Sequence, residues 1–236
     1  MFLPRARVSL TLLTLVCLTG CPFSKCRTST PGPEVTKSED RSLAQNQLEP
    51  LAPRVVAFLG DSLTAGYGLS AFQAFPSKIQ RKIDASGLKF KVINAGVSGD
   101  TSAGILERVP WVLKSHPSIV FLCAGANDGL RGLSVVDLEK NVGLIIEKLQ
   151  AARVNVVLAG MLMPANLGPE YTAGFAAVYP RVAWKFDLVF LPFLMDGVAL
   201  NPELTLPDNV HPNDKGTDII ADHVWQVLQP VLTSLP

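Results

Sequence analysis

The sequence predicts an α/β domain built on a parallel β-sheet with helices on both faces. From Arg54 onward, short runs of β-branched residues alternate with longer amphipathic stretches, which is typical of such sheets. The length of 236 residues suits one ordinary domain with appendages. Clusters of polar residues and glycine also follow the predicted strands, and ligands collect at that edge of open parallel sheets. We therefore expect one domain with a site at the sheet edge.

Hydrophobic periodicity assigns the elements in chain order. The predicted strands are residues 54–59, 90–94, 118–123, 154–159 and 187–191. The predicted helices are residues 75–86, 102–115, 134–152, 170–185 and 213–229. Residues 192–212 contain four prolines and little periodicity, so they are predicted to form a long loop, and long loops in compact domains are often functional.

The N-terminus has the three parts of an export signal. Residues 1–20 contain a basic start, an apolar run and small residues before Cys21. Residues 18–21, Leu18-Thr19-Gly20-Cys21, resemble the lipobox of bacterial lipoproteins, in which the cysteine is acylated after cleavage. We expect a lipidated Cys21 and a protein of the bacterial cell envelope, held on a membrane and facing the periplasm or the exterior. An ordinary cleaved signal or a short membrane anchor is the alternative.

Residues 21–53 are predicted to be a tether between this anchor and a folded domain at 54–236. They are rich in Pro, Ser, Thr and charge and have almost no periodic apolar pattern. A flexible coil of this length would reach roughly 30 Å. Cys26 lies in this segment, where the sequence fits a free thiol or an intermolecular disulfide as well as it fits a functional cysteine.

Composition excludes several classes of function. The formal net charge is +1 and no cluster of Lys and Arg is dense enough to follow phosphates, so a nucleic-acid partner has no electrostatic support. The four cysteines form no CxxC pair and have no histidine at ligand spacing, so neither a zinc site nor a disulfide framework is indicated. Cys123 falls in a predicted strand and is expected to be a buried small apolar residue.

The stretch Gly60-Asp61-Ser62-Leu63 places a hydroxyl group at the end of the first predicted strand. Gly60 permits a tight turn, and Asp61 and Ser62 suit the start of a helix. Taken alone, these four residues favour a plain turn with Ser62 as a helix cap. There is no Gly-x-Ser-x-Gly in the chain, so the α/β-hydrolase arrangement of a serine nucleophile is disfavoured.

Three further clusters of polar residues stand out in the sequence: two follow predicted strands and are rich in glycine, and one lies in the long loop. Residues 94–100 and 125–129 are rich in glycine and contain Asn127, so they could offer backbone and amide N–H donors, although each could be a simple turn. In the third, Asp208 and His211 are three residues apart, which lets the carboxylate orient the imidazole as a general base requires. His116 and His223 lack such a neighbour and are assigned structural positions, with His223 on the surface of the last helix.

Together these blocks resemble the SGNH or GDSL-type serine hydrolases, and most closely their bacterial thioesterases, lysophospholipases and arylesterases. The resemblance implies a three-layer α/β/α sandwich with a mainly five-stranded, flavodoxin-like parallel sheet. It implies hydrolysis of carboxylic ester or thioester bonds in small ester or lipid substrates, without metal or cofactor; we also expect a monomer. The matching blocks are residues 60–67, 97–102, 127–132, 163–166 and 208–213.

The family pattern also implies roles for individual residues. Ser62 would be the nucleophile, His211 the base and Asp208 the residue that orients His211. The oxyanion hole would consist of the backbone N–H groups of Ser62 and Gly99 and the side-chain amide of Asn127. The expected substrate-binding residues are Asp61, Leu63, Leu130, Met163, Pro164 and Phe193.

Ala126 departs from the family pattern, and the apolar residues after the fourth and fifth strands have two possible roles. Many relatives have glycine where Ala126 stands, and its methyl group could narrow the acyl site or restrict the Asn127 loop. Apolar residues follow the fourth and fifth strands, and periodicity does not distinguish an acyl groove from ordinary core packing there. They are Met161, Leu162, Met163, Leu167, Phe193, Leu194 and Met195.

Two other functions are compatible with the same residue types. A metal-dependent phosphoesterase could use oxygen and nitrogen ligands, although only one histidine is well placed. A binding lipoprotein could have kept the fold and lost the chemistry. The candidate ligands for the first alternative are Asp61, Asn127, Asp128, Asp208 and His211.

Overall fold

The computed structural model describes residues 53–235. The predicted signal, Cys21, the tether and Cys26 lie outside the described residues. Within 53–235, no helix is long and apolar enough to cross a membrane.

The described residues form one five-stranded sheet in which every pairing is parallel, in the order β2-β1-β3-β4-β5. This confirms the predicted fold class and is the flavodoxin-like strand order. The order reverses at β1, so the crevice beside the carboxyl ends of β1 and β3 is where a ligand is expected. The strands are Arg54–Gly60 (β1), Phe90–Gly96 (β2), Pro117–Cys123 (β3), Asn155–Ala159 (β4) and Val189–Leu191 (β5).

Helices connect the strands and cover both faces of the sheet. α2 packs against α7, whereas α3 packs against α5 and α5 against α6. The long helices are Phe75–Ala85 (α2), Ser102–Leu113 (α3), Val135–Ala151 (α5), Pro169–Lys185 (α6) and Asp214–Ser234 (α7). Three short helical turns are missing from the predicted helices, because each is too short to show a period, although the sequence does indicate a helix start at Asp61 and Ser62. They are Ser62–Ala65 (α1), Ala126–Leu130 (α4) and the 3-10 turn Ala165–Leu167.

Two predicted boundaries differ substantially from the structure. The last helix continues to Ser234, past Pro230, because Leu228 and Leu232 keep packing into the core. The fifth strand begins only at Val189, since Asp187 has a left-handed backbone with φ of 51°. Tertiary packing thus sets the end of α7, and local backbone conformation sets the start of β5.

The central strands β1 and β3 supply the middle of the core. Val56–Leu59 and Ile119–Leu122 have no exposed surface, as expected for strands covered on both faces. Phe58 packs against Phe75 and Phe121 with ring centroids 5.5 and 5.2 Å apart. Cys123 is buried at the end of β3, as expected.

The N-terminus of α7 is fixed to α2 by a buried lysine. Lys78 is only 6 % exposed and donates hydrogen bonds to the carboxylates of Asp214 and Asp218 at 2.7 and 2.6 Å. It also donates to the backbone carbonyl of Asp214 at 2.7 Å. Since His211 precedes this helix by three residues, these bonds also hold the end of the loop that carries it.

Candidate active site

Ser62 is the first residue of α1, at the point where the chain leaves β1. Asp61 caps this helix, and its Oδ1 accepts a hydrogen bond from the backbone N–H of Leu63 at 3.0 Å. Gly60 is required by close packing, because a Cβ there would lie 2.1 Å from the hydroxyl oxygen of Thr64 and 2.8 Å from the carbonyl oxygen of Cys123. The turn that places Ser62 at the sheet edge is therefore locally determined.

The carboxyl group of Asp61 is fully buried, and its Oδ2 has no hydrogen-bond partner within the described residues. Burial raises its pKa from 3.8 to about 6, against the opposing effects of the Leu63 N–H and the charge of His211. Asp61 does not line the cavity beside Ser62, so the structure gives it a capping contact rather than a place on the cavity wall.

Ser62, His211 and Asp208 form a continuous hydrogen-bonded chain. The distance from Ser62 Oγ to His211 Nε2 is 2.9 Å, and that from His211 Nδ1 to Asp208 Oδ2 is 2.7 Å. Asp208 Oδ1 also accepts from the backbone N–H groups of Val210 and His211, both at 2.9 Å. The structure thus brings together the three residues predicted to carry the chemistry.

The environment of Asp208 keeps its carboxylate charged. Partial desolvation acts against ionisation, but the backbone N–H groups of His211 and Val210, together with the imidazole, outweigh it and lower the pKa to about 2. An ionised carboxylate at Nδ1 favours the imidazole tautomer whose Nε2 can accept the proton of Ser62.

The loop that carries His211 is held by its own backbone and by Asn213. The carbonyl of His211 accepts from the N–H of Leu206 at 2.7 Å. Asn213 donates its amide to the carbonyls of Glu203 and Thr205 and accepts from the N–H of Gly216 at the start of α7. This long loop is therefore ordered and linked to the final helix.

The ring of Tyr67 lies tilted against that of His211, a contact that the sequence did not reveal. The ring centroids are 4.5 Å apart at an interplanar angle of 38°. Tyr67 is half exposed and does not line the cavity. It belongs to the first family block, and this membership was the only signal in the sequence that could have marked it.

The two glycine-rich clusters converge on Ser62 from β2 and β3. Asn127 is part of the cavity wall and donates its Nδ2 to the carbonyl of Asp100 at 2.9 Å. Gly99 is exposed in the preceding loop, with φ of 86°, and its carbonyl accepts from Arg131 at 2.8 Å. Gly99 does not line the cavity.

Asp128 joins these two clusters. Its carboxylate accepts from the backbone N–H of Ser102 at 2.7 Å and from the Ser102 hydroxyl at 2.5 Å. Asn141 donates to the same hydroxyl at 3.0 Å. The Asp128 carboxylate thus holds the Asn127 turn against the start of α3.

Within residues 53–235, no group of three or more His, Cys, Asp or Glu side chains could hold a metal ion.

An open cavity of about 570 Å³ lies beside Ser62 and His211. Its wall includes Leu63, Leu130, Met163, Pro164 and Phe193, which are five of the six predicted substrate-binding residues. Ala126 also lines the cavity.

The apolar residues after β4 and β5 divide between groove and core. Met161 and Met195 are buried yet line the cavity, and Leu162 is exposed at its edge. Leu194 is fully buried and does not line it. Some of these apolar residues therefore line the cavity, and others belong to the core.

The other two histidines lie away from the cavity. His116 has φ of 49° in the turn between α3 and β3. His223 is on α7 but only partly exposed, and its Nδ1 is buried without a partner among the described residues, so its predicted surface position is wrong. Packing of α7 against the domain accounts for the difference.

A Ser–His–Asp chain at the carboxyl edge of a doubly wound parallel sheet, beside an apolar cavity, defines a serine hydrolase. Residues 58–219 match the model of the GDSL-like Lipase/Acylhydrolase family. The chain belongs to this family, which confirms the resemblance seen in its sequence.

Relatives and solved structures match about three quarters of the chain. Thioesterase 1/protease 1/lysophospholipase L1 of Escherichia coli is 40% identical over 182 residues, covering 77% of this chain and 86% of the relative. The crystal structure of TesA aligns with a TM-score of 0.73 at 34% identity, covering 75% of this chain and 99% of TesA. The esterase EstA from Pseudoalteromonas sp., inhibited by monoethylphosphonate, aligns with a TM-score of 0.73 at 32% identity, covering 76% and 99% of the two chains.

Proposed function

We propose that Ser62 carries the acyl group during hydrolysis of carboxylic ester or thioester bonds. Family membership makes the chain a carboxylic ester hydrolase. The observation that supports the assignment of roles is the hydrogen-bonded chain from Ser62 Oγ through His211 to Asp208, with distances of 2.9 and 2.7 Å. A serine hydroxyl becomes a good nucleophile only when a base accepts its proton, and His211 is in place to do so.

In the first half of the reaction, Ser62 Oγ attacks the acyl carbon while its proton passes to His211 Nε2. The tetrahedral intermediate collapses when the bond to the leaving group breaks, and His211 gives its proton to the departing alcohol or thiol. The ionised Asp208 stabilises the imidazolium formed between these steps. In the second half, water attacks the acyl-enzyme with His211 again as base, and the carboxylic acid leaves as Ser62 regains its proton.

The oxyanion of each intermediate needs donors fixed in advance. We assign this role to the backbone N–H groups of Ser62 and Gly99 and to the amide of Asn127. The N–H groups in the first turn of a helix have no intrahelical acceptor, so that of Ser62 in α1 is available. Asn127 Nδ2 carries two hydrogens; one is directed to Asp100, which fixes the amide plane and leaves the other for the oxyanion.

The apolar cavity is assigned to the acyl chain of the substrate. Pockets of this size accommodate small ligands through apolar walls and a few placed polar groups. The relatives include proteins named as thioesterase, lysophospholipase, esterase and arylesterase. We propose aryl esters, lysophospholipids and acyl-thioesters as the substrate range.

We further propose that the enzyme is exported and anchored in the bacterial envelope through lipidated Cys21, with residues 21–53 as a tether. The support is the lipobox-like sequence and the composition of the segment after it. Replacement of Cys21 by Ala should abolish labelling of the protein by a fatty-acid analogue, because the acylated thiol is gone. A variant that is still labelled would contradict lipidation at Cys21.

The catalytic assignment is tested with the purified full chain, p-nitrophenyl esters of increasing acyl length and a p-nitrophenyl alkylphosphonate. Wild type should hydrolyse the esters in the presence of EDTA. With the phosphonate it should release one equivalent of p-nitrophenol and gain the phosphonyl mass on Ser62. Ser62→Ala should do neither, and Ser86→Ala, at the far end of α2, should behave as wild type.

Each outcome has a clear meaning. Retained hydrolysis in Ser62→Ala would remove the serine mechanism, and loss of hydrolysis in EDTA would favour the metal-dependent phosphoesterase or another metal route. A folded wild-type protein that hydrolyses no ester of any length would favour the binding lipoprotein.

A further inference from the structure

The side chain of Arg108, on α3, joins three separate segments at the carboxyl edge of the sheet. Its Nη2 donates to the carbonyl of Gly60 at the end of β1 at 2.9 Å. Its Nη1 donates to the carbonyl of Ala95 near the end of β2 at 2.8 Å. Its Nε donates to the carboxylate of Asp100, in the loop after β2, at 2.6 Å. The three hydrogen bonds therefore link the end of β1, just before Ser62, to the end of β2 and to the loop that contains Gly99.

Two of these three acceptor residues, Gly60 and Asp100, lie within two residues of an assigned oxyanion donor in the chain. Gly60 is two residues before Ser62, and its carbonyl also accepts from the N–H of Val97 at 3.1 Å. Asp100 follows Gly99 directly, and its backbone carbonyl accepts the amide of Asn127 at 2.9 Å. A displacement of Asp100 therefore moves the acceptor that orients the Asn127 amide.

We propose that Arg108 is a positioning residue of the oxyanion hole. This inference rests on the proposed function and adds to it the group that fixes the spacing between the Ser62 turn and the Asp100–Asn127 pair. Arg108 does not line the cavity, so it acts through these neighbours and touches no substrate.

The chemistry of the guanidinium explains why arginine occupies this position. Its planar fork presents donors in fixed directions, and three of them are used here on three different segments. A lysine ammonium could keep the charge beside Asp100, but it is a point charge and cannot reproduce the fork. Both partners are largely covered, with side chains of Arg108 and Asp100 21 % and 20 % exposed, so water competes little for these bonds.

A double-mutant cycle separates positioning of Asn127 from a general structural role. Arg108→Lys, Asn127→Ala and the double variant are compared with wild type, using kcat and KM on one p-nitrophenyl ester. Asn127→Ala should lower kcat by about 100- to 1000-fold, the usual cost of one lost oxyanion donor. Arg108→Lys should lower kcat by about 10- to 100-fold with KM changed less than about 3-fold, since a small misplacement of catalytic groups has effects of this size.

In the Asn127→Ala background, Arg108→Lys should lower kcat by less than about 5-fold, because the group it positions is gone. Arg181→Lys is the matched control: Arg181 pairs with Glu139 between α5 and α6, and its replacement should leave kcat within about 2-fold of wild type. Asp100→Asn, which breaks the ion pair but keeps the backbone acceptor of Asn127, serves as the second variant if Arg108→Lys does not fold.

Losses that multiply in the double variant, or an effect of Arg108→Lys on KM alone, would overturn the inference. So would an Asp100→Asn variant whose kcat equals that of wild type. Failure of the proposed function would give a different result. In that case Ser62→Ala would hydrolyse the ester as fast as wild type, whatever the Arg108 variants do.

Discussion

Replacement of Asp61 by asparagine is expected to change how the stability of the protein depends on pH. The Asp61 carboxyl group has no exposed surface, and its Oδ2 has no partner within the described residues. Burial raises its pKa from 3.8 to about 6, despite the N–H of Leu63 and the charge of His211. The folded protein therefore holds a proton on this group over a range in which the unfolded chain has lost it.

The sign and size of the effect follow from these two pKa values. Because the folded state binds the proton more tightly, the stabilisation is complete below the unfolded pKa and is lost as pH rises through the folded pKa. The pKa difference of about 2 units corresponds to about 3 kcal/mol in the free energy of unfolding. Ionised Asp61 thus weakens the fold at neutral pH.

The assay is urea unfolding of wild type and Asp61→Asn at a series of pH values from about 3 to about 8. The free energy of unfolding of the variant, relative to wild type, should rise by about 3 kcal/mol across this range. Asparagine buries an amide N–H₂ at the Oδ2 position, and this fixed cost offsets the whole curve without changing its slope. Glu147→Gln, an exposed carboxyl on α5, is the control and should give a nearly flat difference.

A difference between Asp61→Asn and wild type that stays constant with pH would refute this reasoning. So would a difference that changes in the opposite direction, since that would mean a lowered rather than raised pKa for Asp61 in the folded state.

Three further predictions concern the site itself. Asp208→Asn should lower kcat by the order of 10⁴-fold, because the amide no longer fixes the tautomer of His211; steady-state kinetics would detect it, and a loss below 10-fold would contradict the role. Tyr67→Phe should keep the wild-type rate whereas Tyr67→Ala should lose several-fold in kcat, since the ring packed against His211 holds the imidazole; a Tyr67→Ala variant with the wild-type rate would show that this contact does not assist catalysis. Leu162→Arg should lower kcat/KM for long p-nitrophenyl esters and leave acetate unchanged, and a uniform loss across acyl lengths would argue against an acyl groove.

The fold was predictable because its signals are local. Alternation of short β-branched runs with amphipathic stretches located all five strands and the five long helices, and the parallel arrangement follows from that alternation. The errors fall where local pattern and tertiary context disagree. Pro230 predicts the end of a helix, yet buried leucines on either side carry α7 through it. A left-handed residue such as Asp187 has no reliable signal in a single sequence.

The site was predictable where a motif carries its own geometry. Gly60-Asp61-Ser62 specifies a turn with a capped helix, and Asp208 with His211 specifies a pair within one loop. The substrate-binding role predicted for Asp61 has no support in the cavity wall, because residue type alone does not show which way a carboxylate points. In this turn the cap uses the carboxylate that a ligand site would otherwise need.

The groups that support the site could not be identified in the same way, because their partners are distant in sequence. Arg108 reaches Gly60 across 48 positions, and Asp128 reaches Ser102 across 26. Each is an ordinary charged residue in its local context; Asp128 was equally compatible with a turn or a metal ligand. The sheet brings the ends of β1, β2 and β3 to one edge, and only then do these side chains meet their acceptors. The nucleophile and base are thus encoded locally, whereas the spacing between them and the oxyanion donors is a property of the assembled sheet edge.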